Sequence, residues 1–171
     1  VERYKGNILT CTRQFAYSTQ NHNTIDIVLS LNGIPVVALE LKNQLTGQSV
    51  ENAKRQFMYD RDEKEFCFRF NNRFLVYFAV DLYEVAMTTH LQGASTYFLP
   101  FNQGSNGAGN VGDGGNPSCE NGYATSYLWE HVLSPEMLLS IFQRYISKQT
   151  SESISLVNGR KVTNKKTILI F

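Results

Sequence analysis

The chain has 171 residues, of which 42% are hydrophobic and 18% charged, so it is long enough for one domain with its own core. Its formal net charge of +1 excludes an overall basic field, so any contact with nucleic acid must come from a local patch. The basic candidates for such a patch are Lys42, Lys54, Arg55 and Arg61. The three cysteines and three histidines show no metal-ligand spacing, which argues against a zinc site and favours a reducing cytoplasm. No apolar run approaches the roughly 20 residues of a membrane span.

Three strands are predicted in the first quarter of the chain. Residues 7–18 alternate in polarity and are rich in β-branched side chains, which predicts a first strand. Two further β-rich runs, residues 24–31 and 35–42, flank Asn32-Gly33, a dipeptide typical of tight hairpins. We therefore expect an antiparallel hairpin, with the first strand paired beside it.

The length of the hairpin loop decides which side chains face each other. A two-residue loop would place Asp26 opposite Leu39, whereas a three-residue loop over residues 32–34 would place it opposite Glu40. Because side chains alternate along a strand, only the longer loop collects the aliphatic residues on one face. That face would hold Ile25, Ile27, Leu29, Leu31, Val37, Leu39 and Leu41. We therefore predict the three-residue loop, with Asp26, Glu40 and Lys42 sharing the other face.

Three charged side chains lie within apolar strands, and charges in such strands need a metal ion or an oppositely charged group beside them. Directly opposite residues have Cβ atoms roughly 5 Å apart, so the carboxylates of Asp26 and Glu40 would repel each other unless a cation lay between them. Carboxylates are the hard oxygen ligands that Mg²⁺ prefers, and Lys42 would then act on a phosphate or a water molecule. The ordinary alternative is that all three are exposed charges on the wet face of a hairpin.

A helix is predicted directly after these strands. Ser49 is a suitable N-cap, and Val50 begins an amphipathic helical pattern. Gln56 and Tyr59 lie three residues apart and therefore project from the same side of this helix. If the helix packs on the sheet, that side lies close to the charged residues; otherwise the two are simply boundary residues.

The next segments complete a mixed α/β pattern. Residues 74–80 form an apolar run that predicts a buried strand, and residues 85–89 predict a return strand. The segment 66–70 is ambiguous between a helix end and a strand. The order strand, hairpin, helix, strand, strand indicates an α/β (α+β) domain with a mixed central sheet.

The rest of the chain is less informative about function. Residues 102–122 are rich in glycine but lack a phosphate-loop motif, so we expect a flexible, solvated loop. Trp129 is predicted to be a core or packing residue. Ser134 and Pro135 begin a predicted helix over residues 136–148, and residues 153–171 predict a hairpin around Asn158-Gly159.

Taken together, the motifs resemble a known family. Asp26, followed after fourteen residues by Glu40 and then by Lys42 and a Gln/Tyr helix, resembles the PD-(D/E)XK nuclease fold. More closely, the chain is similar to the N-terminal region of the R (HsdR) subunit of type I restriction-modification enzymes. This resemblance covers most of the chain and also runs through residues 32–43, 59–61, 78–81, 98–102 and 126–130.

The resemblance implies a role for each candidate residue. Asp26 and Glu40 would bind Mg²⁺, with the carbonyl group of Leu41 as a possible third ligand. Lys42 would orient or activate the attacking water. Gln56 and Tyr59 resemble the Gln-x-x-x-Tyr motif of RecB-like nucleases, although here the spacing is one residue shorter.

The resemblance also implies the biological setting. We expect residues 1–150 to form a restriction-endonuclease-like domain, with a mixed sheet flanked by helices. This domain would cut double-stranded DNA as part of a type I site-specific deoxyribonuclease in the cytoplasm. Residues 151–171 would form a hairpin or linker toward a helicase motor, the only user of ATP, in a longer R chain. The methyltransferase (M) and specificity (S) subunits would be its partners.

Two alternatives remain open at this point. The domain could be a non-catalytic docking module of the same subunit, or a stand-alone repair nuclease of the same fold.

Overall fold

The computed structural model describes residues 5–120, 122–157 and 160–171. Within these residues the chain forms eight strands and two α-helices. In chain order they are β1 (Leu9–Ala16), β2 (Thr24–Leu31), β3 (Ile34–Leu41), α1 (Val50–Tyr59), β4 (Val76–Val80), β5 (Val85–Thr88), β6 (Leu99–Pro100), α2 (Pro135–Arg144), β7 (Ser147–Val157) and β8 (Arg160–Ile170). No helix in the described part of the chain is long and apolar enough to cross a membrane.

Strands β1 to β6 form one mixed sheet in chain order. Strands β3 and β4 are parallel, with α1 between them in sequence, and the other neighbours are antiparallel. Strands β7 and β8 form a separate two-stranded ribbon. The predicted α/β (α+β) class, a mixed sheet flanked by helices, is therefore confirmed.

Both faces of the six-stranded sheet are covered, which explains why all five residues of β4 are buried. On one face, α1 packs through Val50, Ala53 and Phe57. On the other face, the segment that precedes α2 and α2 itself contribute Leu128 and Leu138. A strand that is buried on both sides reads as a continuous apolar run, as β4 does.

The hairpin between β2 and β3 differs from the predicted one in its loop. The loop has two residues, because Leu31 lies directly opposite Ile34. Asn32 and Gly33 both have positive φ angles, 52° and 80°. These angles suit a tight hairpin turn, and they are the reason why the predicted three-residue loop is wrong.

A β-bulge restores the predicted pairing farther along the same hairpin. Ser30 lies opposite Pro35 but Leu29 lies opposite Val37, so Val36 is an extra residue in β3. Beyond the bulge Ile27 pairs with Leu39, a register that brings Asp26 opposite Glu40 as predicted.

The aliphatic face of the hairpin is largely as expected. Five of the seven predicted side chains pack together in the cluster that α2 covers, namely Ile27, Leu29, Leu31, Val37 and Leu39. The other two depart from the prediction: Ile25 is buried in the cluster under α1, and Leu41 is 40% exposed at the end of β3.

Three predictions for the last third of the chain need correction. The predicted helix over residues 136–148 ends at Arg144, because the chain enters the β7–β8 ribbon at Ser147. That ribbon is therefore longer than the predicted hairpin, and its turn at residues 158–159 lies outside the described residues. Trp129 is not a core residue, because only Leu128 of its helical segment is buried; it is 44% exposed and packs on the ring of Tyr123, in line with the alternative of a packing role.

The glycine-rich segment, residues 102–122, is mostly exposed as predicted but is not a free linker. The backbone N–H of Gly104 donates to the carbonyl oxygen of Gly115 at 2.7 Å, which closes the loop on itself. The side-chain amide of Asn116 donates to the carbonyl oxygen of Tyr83 at 2.8 Å. The loop is thereby held against the β4–β5 turn.

Buried Asp81 fixes the start of α1 relative to the sheet. One carboxylate oxygen accepts the backbone N–H groups of Tyr83 and Glu84 in the β4–β5 turn, both at 2.8 Å. The other accepts the backbone N–H of Val50, the first residue of α1, at 2.8 Å and the side-chain amide of Gln44 at 3.0 Å. Asp81 thus joins a helix end to a turn, and it sets where the side chains of α1 fall.

We predict that Asp81→Ala lowers the free energy of unfolding by about 2–4 kcal/mol, because buried N–H groups would lose a charged acceptor. Urea denaturation of the 171-residue chain measures this change. Asp113→Ala, which removes an exposed carboxylate from the glycine-rich loop, is the matched control and should change stability little. Equal effects of the two substitutions would contradict this role of Asp81.

Candidate functional site

Asp26 is fixed at the point where β2 meets the end of β3. Its Oδ2 accepts the backbone N–H of Leu41 at 2.8 Å, and its Oδ1 accepts the side-chain amide of Gln14 at 3.2 Å. Gln14 is itself held, because its Oε1 accepts the hydroxyl group of Thr24 at 2.6 Å. The φ angle of Gln14 is 49°, an uncommon value for a residue other than glycine. The carboxylate of Asp26 is thus oriented from both sides.

Glu40 is completely buried and forms an ion pair with Arg61, which is only 3% exposed. The Nε and one terminal nitrogen of Arg61 donate to Glu40 Oε1 at 3.0 and 2.5 Å. The other oxygen, Oε2, is buried and accepts no hydrogen bond from a donor among the described residues, while Glu40 lies within hydrogen-bonding reach of the Asp26 carboxylate. A buried carboxylate oxygen without a partner is costly, so this atom marks the site as incomplete.

Burial raises the pKa of Glu40 to about 7. The neighbouring guanidinium of Arg61 lowers this pKa, whereas the nearby carboxylate of Asp26 raises it. The carboxylate of Asp26 is therefore close enough to Glu40 to disfavour the charged form of Glu40.

Lys42 and the two helical candidates lie on the same side of the sheet. The ammonium group of Lys42 donates to Gln56 Oε1 at 2.5 Å, which joins the end of β3 to α1. Gln56, Tyr59 and Asp26 line one open polar cleft of about 650 Å³. Tyr59 is 67% exposed at this cleft. The structure thus brings Asp26, Gln56 and Tyr59 together at the cleft. Lys42 reaches it through Gln56, and Glu40 is buried behind it.

A divalent cation fits the carboxylates that the fold brings together. No cluster of three or more His, Cys, Asp or Glu side chains suited to a metal occurs in the described ranges, so Asp26 and Glu40 would have to serve as a donor set of two carboxylates. The unpartnered Oε2 of Glu40 and the Asp26 carboxylate are hard oxygen donors, and a cation between them would offset their repulsion. Backbone carbonyl groups and water molecules commonly complete such a site.

Comparison with known protein families assigns the chain to one of them. The family described as type I restriction enzyme R protein N terminus matches residues 1–96. The chain belongs to this family. The match spans β1 to β5 and includes Asp26, Glu40, Lys42, Gln56 and Tyr59. Searches among curated proteins and solved structures found no match.

The sequence did not reveal two important residues of this R-protein N-terminal domain. Arg61 is predicted to belong to a local basic patch, but it is buried against Glu40. The signals available in the sequence were its place directly after the Gln/Tyr helix and the resemblance over residues 59–61. Gln14 was given no role, and its strained φ angle appears only in three dimensions. The proposed patch is further reduced because Lys54 pairs with Glu51 at 2.6 Å.

The raised pKa of Glu40 predicts how stability varies with pH in the metal-free R-protein domain. The folded state holds a proton up to about pH 7, whereas the ordinary pKa is 4.5, so folding takes up a proton between these values. The free energy of unfolding should therefore fall as pH rises from about 4.5 to about 7, by on the order of 3 kcal/mol. Urea denaturation at pH 5 and at pH 8, with a chelator present, measures this change in the free energy of unfolding.

The Glu40→Gln variant should lose this fall in stability, while Glu51→Gln, an exposed control on α1, should keep it. The comparison of variants is needed because burial lowers the pKa of His90, which makes stability rise with pH in the same range. An unchanged pH dependence in Glu40→Gln would contradict the assignment.

Proposed function

We propose that this domain is the Mg²⁺-dependent endonuclease module of a type I restriction R subunit and that it cuts the phosphodiester bonds of double-stranded DNA. The observation that carries the proposal is the convergence of Asp26, buried Glu40 with one unpartnered oxygen, and Lys42 on one side of the sheet. Family membership supports the R-subunit setting.

Each residue has a distinct task in this proposal. Asp26 and Glu40 would hold the cation, with the Leu41 carbonyl group as a further ligand. When bound, a divalent cation neutralises a phosphate and lowers the pKa of a water molecule. Lys42 places its positive charge where negative charge develops on the phosphate oxygens, and its bond to Gln56 fixes the ammonium group. Exposed Tyr59 contacts the DNA backbone at the rim of the cleft.

The proposed partners follow from the restriction-complex setting. The S subunit would recognise the DNA site, with the M subunit as the second partner. An ATP-driven motor elsewhere in the R protein would move the DNA. Cleavage by this module would then be independent of sequence, because its catalytic groups act on the phosphate backbone, which carries no base code.

A docking module is the second candidate function, and the Arg61–Glu40 pair is the observation in its favour. A buried arginine already neutralises Glu40 there, as it would in a purely structural ion pair. A measurement of metal binding distinguishes the nuclease from the docking module, since a docking module needs no cation. The family match favours both over a stand-alone repair nuclease.

We predict that Asp26→Asn and Lys42→Ala, each made in the complete restriction complex, lower DNA cleavage at least about 100-fold because they remove transition-state stabilisation. ATP hydrolysis should stay unchanged, since these residues belong to the nuclease module. Cleavage and ATPase assays on the same preparations measure both. Lys54→Ala, which removes an α1 lysine that pairs with Glu51 and does not line the cleft, is the control. Normal cleavage by Asp26→Asn or Lys42→Ala would overturn the site assignment.

We also predict that the R protein binds Mg²⁺ or Mn²⁺ and that Glu40→Gln weakens this binding at least about tenfold, because a ligand charge is lost. Isothermal titration calorimetry measures the affinity. Glu51→Gln should bind like the unchanged protein. If no cation binds at millimolar concentrations, or if Glu40→Gln binds normally, the docking function is favoured instead.

A further inference from the structure

We propose that Arg61 is a positioning residue for Glu40: it holds one carboxylate oxygen so that the other is left for the cation that Asp26 shares. This inference rests on the proposed function and adds a residue to it. Arg61 touches neither the cation nor the substrate in this arrangement and acts only through Glu40.

The first observation is how Arg61 distributes its donors. An arginine that serves only to neutralise a carboxylate usually forms two parallel hydrogen bonds, one to each oxygen. Here the Nε and a terminal nitrogen of Arg61 both donate to Oε1 of Glu40, at 3.0 and 2.5 Å. No donor in the described part of the chain reaches Oε2, although it is buried; the Asp26 carboxylate, itself an acceptor, lies close to Glu40. Arg61 therefore binds only Oε1 of Glu40 and leaves Oε2 available to another ligand.

The second observation is that the guanidinium group is itself fixed. One terminal nitrogen donates to the carbonyl oxygen of Thr24 at 2.8 Å, and the other donates to that of Asp60 at 3.3 Å. The ring of Tyr17 lies 5.3 Å from the guanidinium carbon, within the range of a cation–π contact. Arg61 cannot turn to bind both oxygens of Glu40 without giving up these contacts.

Positioning and plain neutralisation predict opposite changes when Arg61 is removed. If Arg61 only neutralises Glu40, its positive charge repels an incoming cation, so its loss should tighten cation binding in a titration at alkaline pH, where no proton competes for the carboxylate. If Arg61 positions Glu40, its loss frees the carboxylate to rotate, so cation binding should weaken. Residues that orient metal ligands typically change metal affinity by 10–100-fold.

The test is Mn²⁺ titration of the intact R protein by calorimetry, with and without Arg61→Met. We expect at least about tenfold weaker binding in Arg61→Met. The matched control is Arg73→Met, since Arg73 also stacks on an aromatic ring, that of Phe66 at 4.7 Å, but lies outside the cleft. The control should bind like the unchanged protein. Tighter binding, or unchanged binding, in Arg61→Met would overturn the inference.

Two further variants separate geometry from charge and from folding. Arg61→Lys keeps the charge but loses the planar set of donors, so it should bind Mn²⁺ about as weakly as Arg61→Met. Near-normal binding by Arg61→Lys would show that charge alone matters and would overturn the inference. If Arg61→Met does not fold, Tyr17→Leu decides, because it loosens Arg61 without changing any charge. We expect severalfold weaker Mn²⁺ binding there, and unchanged binding would count against positioning.

Asp26→Asn keeps failure of this inference distinct from failure of the proposed function. If the unchanged protein does not bind Mn²⁺, or Asp26→Asn binds it normally, the metal site itself is wrong. If Asp26→Asn weakens binding but Arg61→Met does not, the metal site stands and only the role of Arg61 fails.

Discussion

The buried ion pair between Glu40 and Arg61 constrains the whole cleft side of this domain. Glu40 lies in β3 opposite Ala79 of the central strand β4, where no water reaches its carboxylate. A charged carboxylate in that position requires a cationic partner, and the buried side chain of Arg61 provides it below the cleft. Because the pair satisfies only one oxygen of Glu40, the same constraint leaves one acceptor without a partner.

The helix α1 is fixed at both ends by the groups that frame this site. At its start, Asp81 accepts the backbone N–H of Val50. Just after its end, the carbonyl oxygen of Asp60 accepts hydrogen bonds from Tyr17 and Arg61. With both ends held, the helix has little freedom to rotate on the sheet. Its last turns therefore present their polar side to the cleft.

The β-bulge in the hairpin between β2 and β3 sets which residues of the two strands face each other at the site. The Asn32-Gly33 turn by itself would set a register that places Asp26 opposite an aliphatic residue. The extra residue Val36 shifts the pairing by one position, and Asp26 then meets Glu40. A bulge of this kind re-aims side chains at a cost to strand pairing, and bulges often lie beside functional sites. In this member of the R-protein N-terminal family, the site depends on that single inserted residue.

The sequence by itself determined the alternation that sets Asp26, Glu40 and Lys42 apart from the aliphatic residues, and the helical spacing of Gln56 and Tyr59. These are local properties, because strand and helix periods fix which side chains share a face. Only the tertiary structure decided that the loop has two residues and that a bulge corrects the register. It alone also decided that Arg61, 21 residues beyond Glu40, is the buried counter-charge. The partner of a buried charge is selected by packing between distant segments, and no local pattern encodes that choice.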